Sequence, residues 1–258
     1  MGSTGERETK GSDPCLVLKD LSIDFGGLRA VDGVNLTIEQ GERRVLMGPN
    51  GAGKTTLFNL ISGIYPPSRG RIFYFVKEIS GYPIYRRAAL GMARTYQVTN
   101  LFRCLTVAEN ILMACQALDR TKFVMFRTLS SCHGHMDRCN DVLKEFDLAE
   151  KRNELVKNLS HGDQRRIEVA MALTGKPRLL LLDEPAAGLS SSETQDLTVL
   201  LKKIDPAITI VLIEHDMDVA FEFAERITIL YQGQFLTEGT KEESQNNATV
   251  QEVYVGAE

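Results

Sequence analysis

The sequence contains no apolar run approaching the ~18 residues that cross a bilayer as a helix; its longest strand-like stretch, Ala207 to Ile213, suits a buried strand. The chain is therefore not expected to span a membrane, and any membrane association must come through another protein. Residues Met1 to Asp13 lack the apolar segment of a signal peptide, which predicts a disordered tail over 1–13 and one structured domain over 14–258. An excess of basic charge is missing too. The 30 Lys and Arg against 34 Asp and Glu leave a net charge of -4, which speaks against a general nucleic-acid binder. Five cysteines, Cys15, Cys104, Cys115, Cys132 and Cys139, are odd in number and scattered, so they predict reduced thiols in a cytosolic protein rather than a disulfide framework. Cys132, His133, His135 and Cys139 sit close together, but their spacing fits no standard zinc pattern and reads as a solvated loop. Internal repeats are absent, so each motif below occurs once.

Leu16 to Phe25 and Val34 to Ile38 read as strands separated by Gly26 and Gly27, predicting an antiparallel β-rich opening. A short apolar strand, Arg43 to Met47, runs into a glycine loop and then a helix over Thr56 to Ile61. From about 100 to 158 strand runs are weak and two amphipathic segments stand out, Val107 to Ala117 and Met136 to Phe146, which predicts a helical insertion. Alternation then returns: helix Gly162 to Thr174, strand Arg178 to Leu182, helix Ser192 to Ile204, strand Ile208 to Ile213. Such alternation implies a parallel sheet covered by helices. A strand at Ile227 to Tyr231 turns at Gln232-Gly233 into Gln234 to Thr237, a closing hairpin.

The loop Gly48-Pro49-Asn50-Gly51-Ala52-Gly53-Lys54-Thr55, followed by Thr56, matches the phosphate-loop pattern G-x-x-x-x-G-K-[ST] and lies between strand and helix as that mechanism requires. Its glycines let backbone N–H groups wrap phosphates at a helix N-terminus, Lys54 reaches the β- and γ-phosphates, and Thr55 suits Mg²⁺. This predicts ATP and Mg²⁺ as ligands, although a phosphate loop alone also admits kinases, GTPases and helicases, and the motifs that follow must discriminate. Leu179 to Leu182 form a buried strand delivering Asp183 and Glu184 to the carboxyl end of the sheet, where such folds bind ligands. Asp183 suits the Mg²⁺ shell and Glu184 the attacking water, a division that fits phosphoryl transfer. Leu159-Ser160-His161-Gly162-Asp163 opens a helix with Ser160 placed to cap it, leaving an anion site at the N-terminus.

In this order, with Gln97 in Ala93-Arg94-Thr95-Tyr96-Gln97 and His215 after a strand, the motifs resemble the ATP-binding-cassette (ABC) family from about Leu16 to Gly256. The resemblance implies an α/β P-loop NTPase of the ABC-ATPase type: a parallel core sheet, an N-terminal antiparallel β subdomain and an inserted α-helical subdomain. It implies a head-to-tail dimer, homo- or heteromeric, with ATP between the phosphate loop of one subunit and Ser160 and Gly162 of the other. Phe25 matches the position that stacks on adenine, Gln97 the one that contacts Mg²⁺ and water, and His215 the one that reaches the γ-phosphate. The signature departs from Leu-Ser-Gly-Gly-Gln at His161 and Asp163, and Ser190 stands where a dimer-contact loop often carries Asp.

Three stretches, Phe25 to Val34, Gly91 to Gln97 and Val250 to Gly256, resemble the branched-chain amino-acid importer ATPases, and Leu-Ser-His-Gly resembles their urea- and amide-importing relatives. That likeness implies polytopic permease subunits as partners, a solute-binding protein acting indirectly, and a peripheral position on the inner membrane face, with docking around Val98 to Phe102 and beyond. An exporter ATPase of the lipopolysaccharide type shares the similar tail and stays open. A soluble ABC ATPase acting on DNA ends or ribosomes is disfavoured by the absence of long heptad insertions and of tandem cassettes. A nucleotide-binding regulator without turnover is disfavoured by an intact Glu184.

Overall fold

The computed structural model describes residues 13–96, 101–117, 133–245 and 247. Residues 1–12 of the opening tail, Gln97, the Val98 to Asn100 stretch, Cys132 and the segment around Val250 to Gly256 lie outside them.

Two sheets form the body. The first is antiparallel, in the order β2-β1-β4-β5, with β1 Leu16–Phe25, β2 Leu28–Ile38, β4 Arg69–Tyr74 and β5 Lys77–Glu78. β2 begins six residues before the Val34 anticipated from sequence, because register shifts against β1 carry its pairing through the irregular, polar start as far as Phe25↔Leu28. Bulges of this kind absorb residues that break the alternation used to recognise strands.

The second sheet runs β10-β9-β3-β8-β7-β6, from β3 Arg43–Met47, β6 Met92–Arg94, β7 Leu179–Asp183, β8 Thr209–Ile213, β9 Arg226–Tyr231 and β10 Gln234–Thr240. Its interior strands pair in parallel, and only β10 returns antiparallel. All residues of β3, β7 and β8 are buried, as strands covered on both faces require. The β9–β10 turn places Gln232 and Gly233 at φ 47° and 80°, the left-handed pair of a type I′ hairpin.

Helix α1, Lys54–Ser62, follows β3; α2, Ile84–Ala89, precedes β6. The insertion carries α3 Val107–Ala117 and α4 His133–Glu145, and α3 packs on both α4 and α5, His161–Leu173. Its entry and exit are tied by the Thr106↔Leu155 bridge and by Val156 N–H donating to the Leu105 carbonyl at 3.1 Å. The stretch read as a solvated loop around Cys132 to Cys139 is, from His133, the start of α4. Cys139 is buried there, and burial pushes its thiol up to about 11; among the described residues no three or more His, Cys, Asp or Glu side chains converge on a point that could hold a metal ion. Helices α6, Ser191–Lys203, and α7, Met217–Phe223, complete the cover, with a short α8, Lys241–Gln245, after β10. Among the described residues no helix is long and apolar enough to cross a membrane.

Candidate functional site: a phosphate-binding cleft

Strands β3, β8 and β7 are neighbours, so their carboxyl ends bring three loops together: Gly48 to Gly53, Glu214-His215, and Asp183-Glu184. This is where a parallel α/β sheet opens a crevice. A cleft of about 530 Å³ there is lined by Asn50 to Thr56, Glu184, His215 and Gly233, with Leu28 to Ala30 from the tip of the β1–β2 hairpin.

The loop demands its glycines. Gly48 lies at φ 147° and a Cβ there would stand 2.2 Å from the Leu230 carbonyl oxygen; Gly53 lies at φ 97° with the Ala30 carbonyl oxygen 2.5 Å away. Gly51, at φ 78°, faces open space, the approach a phosphate needs. The hairpin turn closes the loop from below, with Gly233 N–H donating to Ala52 O at 3.0 Å and Asp32 N–H to Gly233 O at 2.8 Å.

Lys54 is buried, and its Nζ donates to the carbonyls of Gly48 (2.7 Å) and Pro49 (2.9 Å). Burial lowers its pKa, opposed by the charges of Glu184 and Asp183. Asp183 is raised by burial, against the opposing pull of Arg94. Its Oδ2 accepts from Arg94 Nη2 at 2.9 Å, whereas Oδ1 is buried with no hydrogen-bond partner among the described residues. An orphaned buried carboxylate oxygen costs free energy unless something fills it, and a hard oxygen donor beside a phosphate cradle suits Mg²⁺. Glu184 sits at φ 48°, its N–H donating to Ile213 O at 3.0 Å, and its Oε1 lies 2.5 Å from His215 Nε2.

Ser160 and Gly162 do not line this cleft. Ser160 caps α5, accepting from Asp163 N–H at 3.1 Å, while Gly162 N–H donates to Glu193 Oε1 at 3.1 Å. Asp163, standing where the signature usually has glutamine, pairs with Lys151. Ser190 caps α6 in a capping box with Glu193, which accounts for a serine at that position. Phe25 stands outside the cleft lining, 41% exposed, its ring edge-on to Tyr65 with centroids 5.3 Å apart. Gln97 lies outside the described residues.

Two residues of the site were given no role from the sequence. Arg94, quoted there only as part of the Gln97 stretch, is one. The other is Glu214, buried, whose carboxylate accepts from Ala186 N–H at 3.2 Å and His215 N–H at 3.1 Å and so holds together the loops bearing Glu184 and His215. Burial raises its pKa, partly offset by those backbone donors. Only its adjacency to His215 could have drawn attention to it.

A family model described as ABC transporter matches residues 31–187. The chain belongs to the ABC transporter family. It is 40% identical over 252 residues to the high-affinity branched-chain amino acid transport ATP-binding protein BraF of Pseudomonas aeruginosa, covering 95% of this chain and 99% of that one. The lipopolysaccharide export system ATP-binding protein LptB of Escherichia coli is 33% identical over 242 residues, 93% and 97% of the two chains. A nucleotide-free ATP-binding cassette from an ABC transporter superposes with a TM-score of 0.82 at 25% identity, covering 93% and 98%. A dimeric ATP-binding cassette in a post-hydrolysis state with ADP and Pi superposes at 0.74 with 28% identity, covering 88% and 98%. This ABC chain is thus an ATPase, with the parallel core and antiparallel β subdomain of its structural neighbours.

Proposed function

We propose that the chain hydrolyses MgATP within a head-to-tail pair of cassettes and thereby energises import of branched-chain amino acids, or of related amides and urea, through a membrane permease. The observation that carries the chemistry is the Glu184–His215 pair at the lip of the phosphate loop, beside an Asp183 oxygen without a partner among the described residues.

The loop amides of residues 48–53 wrap the phosphates, and Lys54 exchanges its carbonyl partners for phosphate oxygens. Thr55, Asp183 and Gln97 are the residues that would hold magnesium, which when bound neutralises charge on the β- and γ-phosphates. Glu184 accepts a proton from the attacking water as its oxygen bonds to γ-phosphorus and the bond to the β-phosphate oxygen breaks, with ADP leaving. His215 Nε2 holds that carboxylate in the nucleotide-free cleft and turns its single N–H to the γ-phosphate once nucleotide binds, which frees Glu184 for the water. Ser160 and the Gly162 amide of a second copy close the site, so Glu193 must release Gly162 as phosphate arrives. Phe25, beside the hairpin tip that lines the cleft, supplies an exposed ring for adenine.

The permease is proposed to dock where two cavities of about 250 and 350 Å³ share Arg94, Tyr96 and Ala172, the larger one floored by Leu101, Ala114 and Met171. On this reading the chain sits at the inner face of the membrane through its partner. Import is favoured over export by the greater identity to BraF than to LptB. The test is reconstitution with the permease and solute-binding protein in vesicles. ATP-dependent uptake of labelled leucine or urea, abolished by Glu184→Gln, is the expected result; ATP turnover without uptake of either solute refutes the assigned cargo.

A further inference from the structure

Arg94 ends β6, the edge strand of the core sheet, and its side chain is 6% exposed. A guanidinium in that position is expensive unless its donors are used; Nε is buried without a partner among the described residues, and both Nη nitrogens are engaged. Nη1 donates to Asn59 Oδ1 and Ser62 Oγ, both at 2.8 Å and both on α1, the helix that follows the phosphate loop. Nη2 donates to Asp183 Oδ2 at 2.9 Å. The planar group lies over the Phe58 and Tyr96 rings, at 5.5 and 5.2 Å from their centroids. Arg94 therefore joins the phosphate-loop helix to the acidic strand end through one rigid fork, held by aromatic contacts.

A carboxylate has two equivalent oxygens and rotates about its last bond unless something distinguishes them. Here Arg94 engages Oδ2, and Oδ1 is the oxygen left without a partner among the described residues. We propose that Arg94 is a positioning residue for the metal site: it selects which oxygen of Asp183 is presented, and fixes that oxygen relative to α1 and hence to the phosphate loop. Lysine cannot replace it, because a single ammonium on a flexible stem does not reach Asn59, Ser62 and Asp183 in one fixed plane. The inference rests on the reading of Asp183 as a magnesium ligand. Partners of metal ligands typically contribute about 10- to 100-fold to metal affinity.

The experiment measures affinity of the full chain for a fluorescent N-methylanthraniloyl ATP, once with Mg²⁺ and once with EDTA, for the parent, Asp183→Asn, Arg94→Met and Arg94→Lys. Arg94→Met is expected to lose about 10-fold of the Mg²⁺-dependent gain in affinity, with affinity in EDTA within about 2-fold of parent, and Arg94→Lys not to restore it. Asp183→Asn losing the gain while Arg94→Met keeps it overturns the proposal and leaves the metal reading standing. Asp183→Asn keeping the gain overturns the metal reading itself. Should Arg94→Met melt below the assay temperature, Asn59→Ala with Ser62→Ala removes the α1 side of the fork. A reduced Mg²⁺ gain in that variant supports the proposal and an unchanged one overturns it.

Discussion

Replacing Glu184 with glutamine separates binding from chemistry in this cleft. The substitution keeps the shape of the side chain, and an amide adopts the left-handed backbone at φ 48° at similar cost to the acid. The amide also keeps a hydrogen bond to His215 Nε2, now 2.5 Å from Oε1. What disappears is the ability to take a proton from water. General-base catalysis is worth about 10²- to 10⁴-fold, or roughly 2.7–5.5 kcal/mol of activation free energy at 1.36 kcal/mol per decade. The amide cradle, in contrast, is the loop of residues 48–54; Glu184 lines the same cleft but, as an acceptor, offers phosphate no hydrogen bond. Phosphate release at saturating MgATP should therefore fall by at least about 100-fold, while ATP affinity stays equal or rises a few-fold because a charge repelling phosphate has gone. Gel filtration should show an ATP-retaining dimer. Turnover within about 3-fold of parent, or an affinity loss beyond about 10-fold, refutes the assignment of Glu184 as base.

Lys54→Ala removes a buried ammonium that rests on Gly48 and Pro49 carbonyls, and ATP affinity measured by titration should fall by at least about 10-fold, or 1.4 kcal/mol. Gly53→Ala places a Cβ 2.5 Å from the Ala30 carbonyl at φ 97°; urea unfolding should show about 3 kcal/mol or more of lost stability. Glu193 accepts backbone and hydroxyl hydrogen bonds from Ser190, followed by Gly162 N–H, which hold its pKa down to about 2 from 4.5. A depressed carboxylate stabilises the fold above its unfolded pKa and loses that effect as protons bind. Acid titration of stability between about pH 4.5 and 2 should accordingly be shallower in Glu193→Gln than in the parent. Glu214→Ala leaves Ala186 and His215 amides without their acceptor, and turnover should fall by about 10-fold or more with ATP affinity little changed.

Much of this was legible in the sequence because the functional loops sit at the ends of strands that are apolar throughout. Leu179 to Leu182 announce a buried strand, and the acids that follow can only emerge at its carboxyl end. Gly48 to Thr55 is legible for a different reason: its φ values exclude other residues, so the spacing of glycines is itself structural information. β6 was not legible, since Met92–Arg94 is too short to show a period and ends in a charged residue. β4 escaped notice too, because Gly70, at φ 82°, interrupts a short run that alternates only weakly. Arg94 and Glu214 read as ordinary polar residues, and their importance lies in partners distant in sequence, at Asn59 and Ala186. Phe25 shows the reverse case, a matching position whose ring the structure places beside Tyr65.

The contacts beneath the phosphate loop tie together chain segments that fold into different sheets. Asp32 belongs to the antiparallel sheet, Gly233 to the hairpin that ends the parallel one, and Ala52 to the loop itself. A ligand that stiffens the loop must therefore slow the opening of the seam between the sheets. Hydrogen exchange at the amides of Asp32 and Gly233 then becomes a reporter of nucleotide occupancy, although neither amide faces a phosphate.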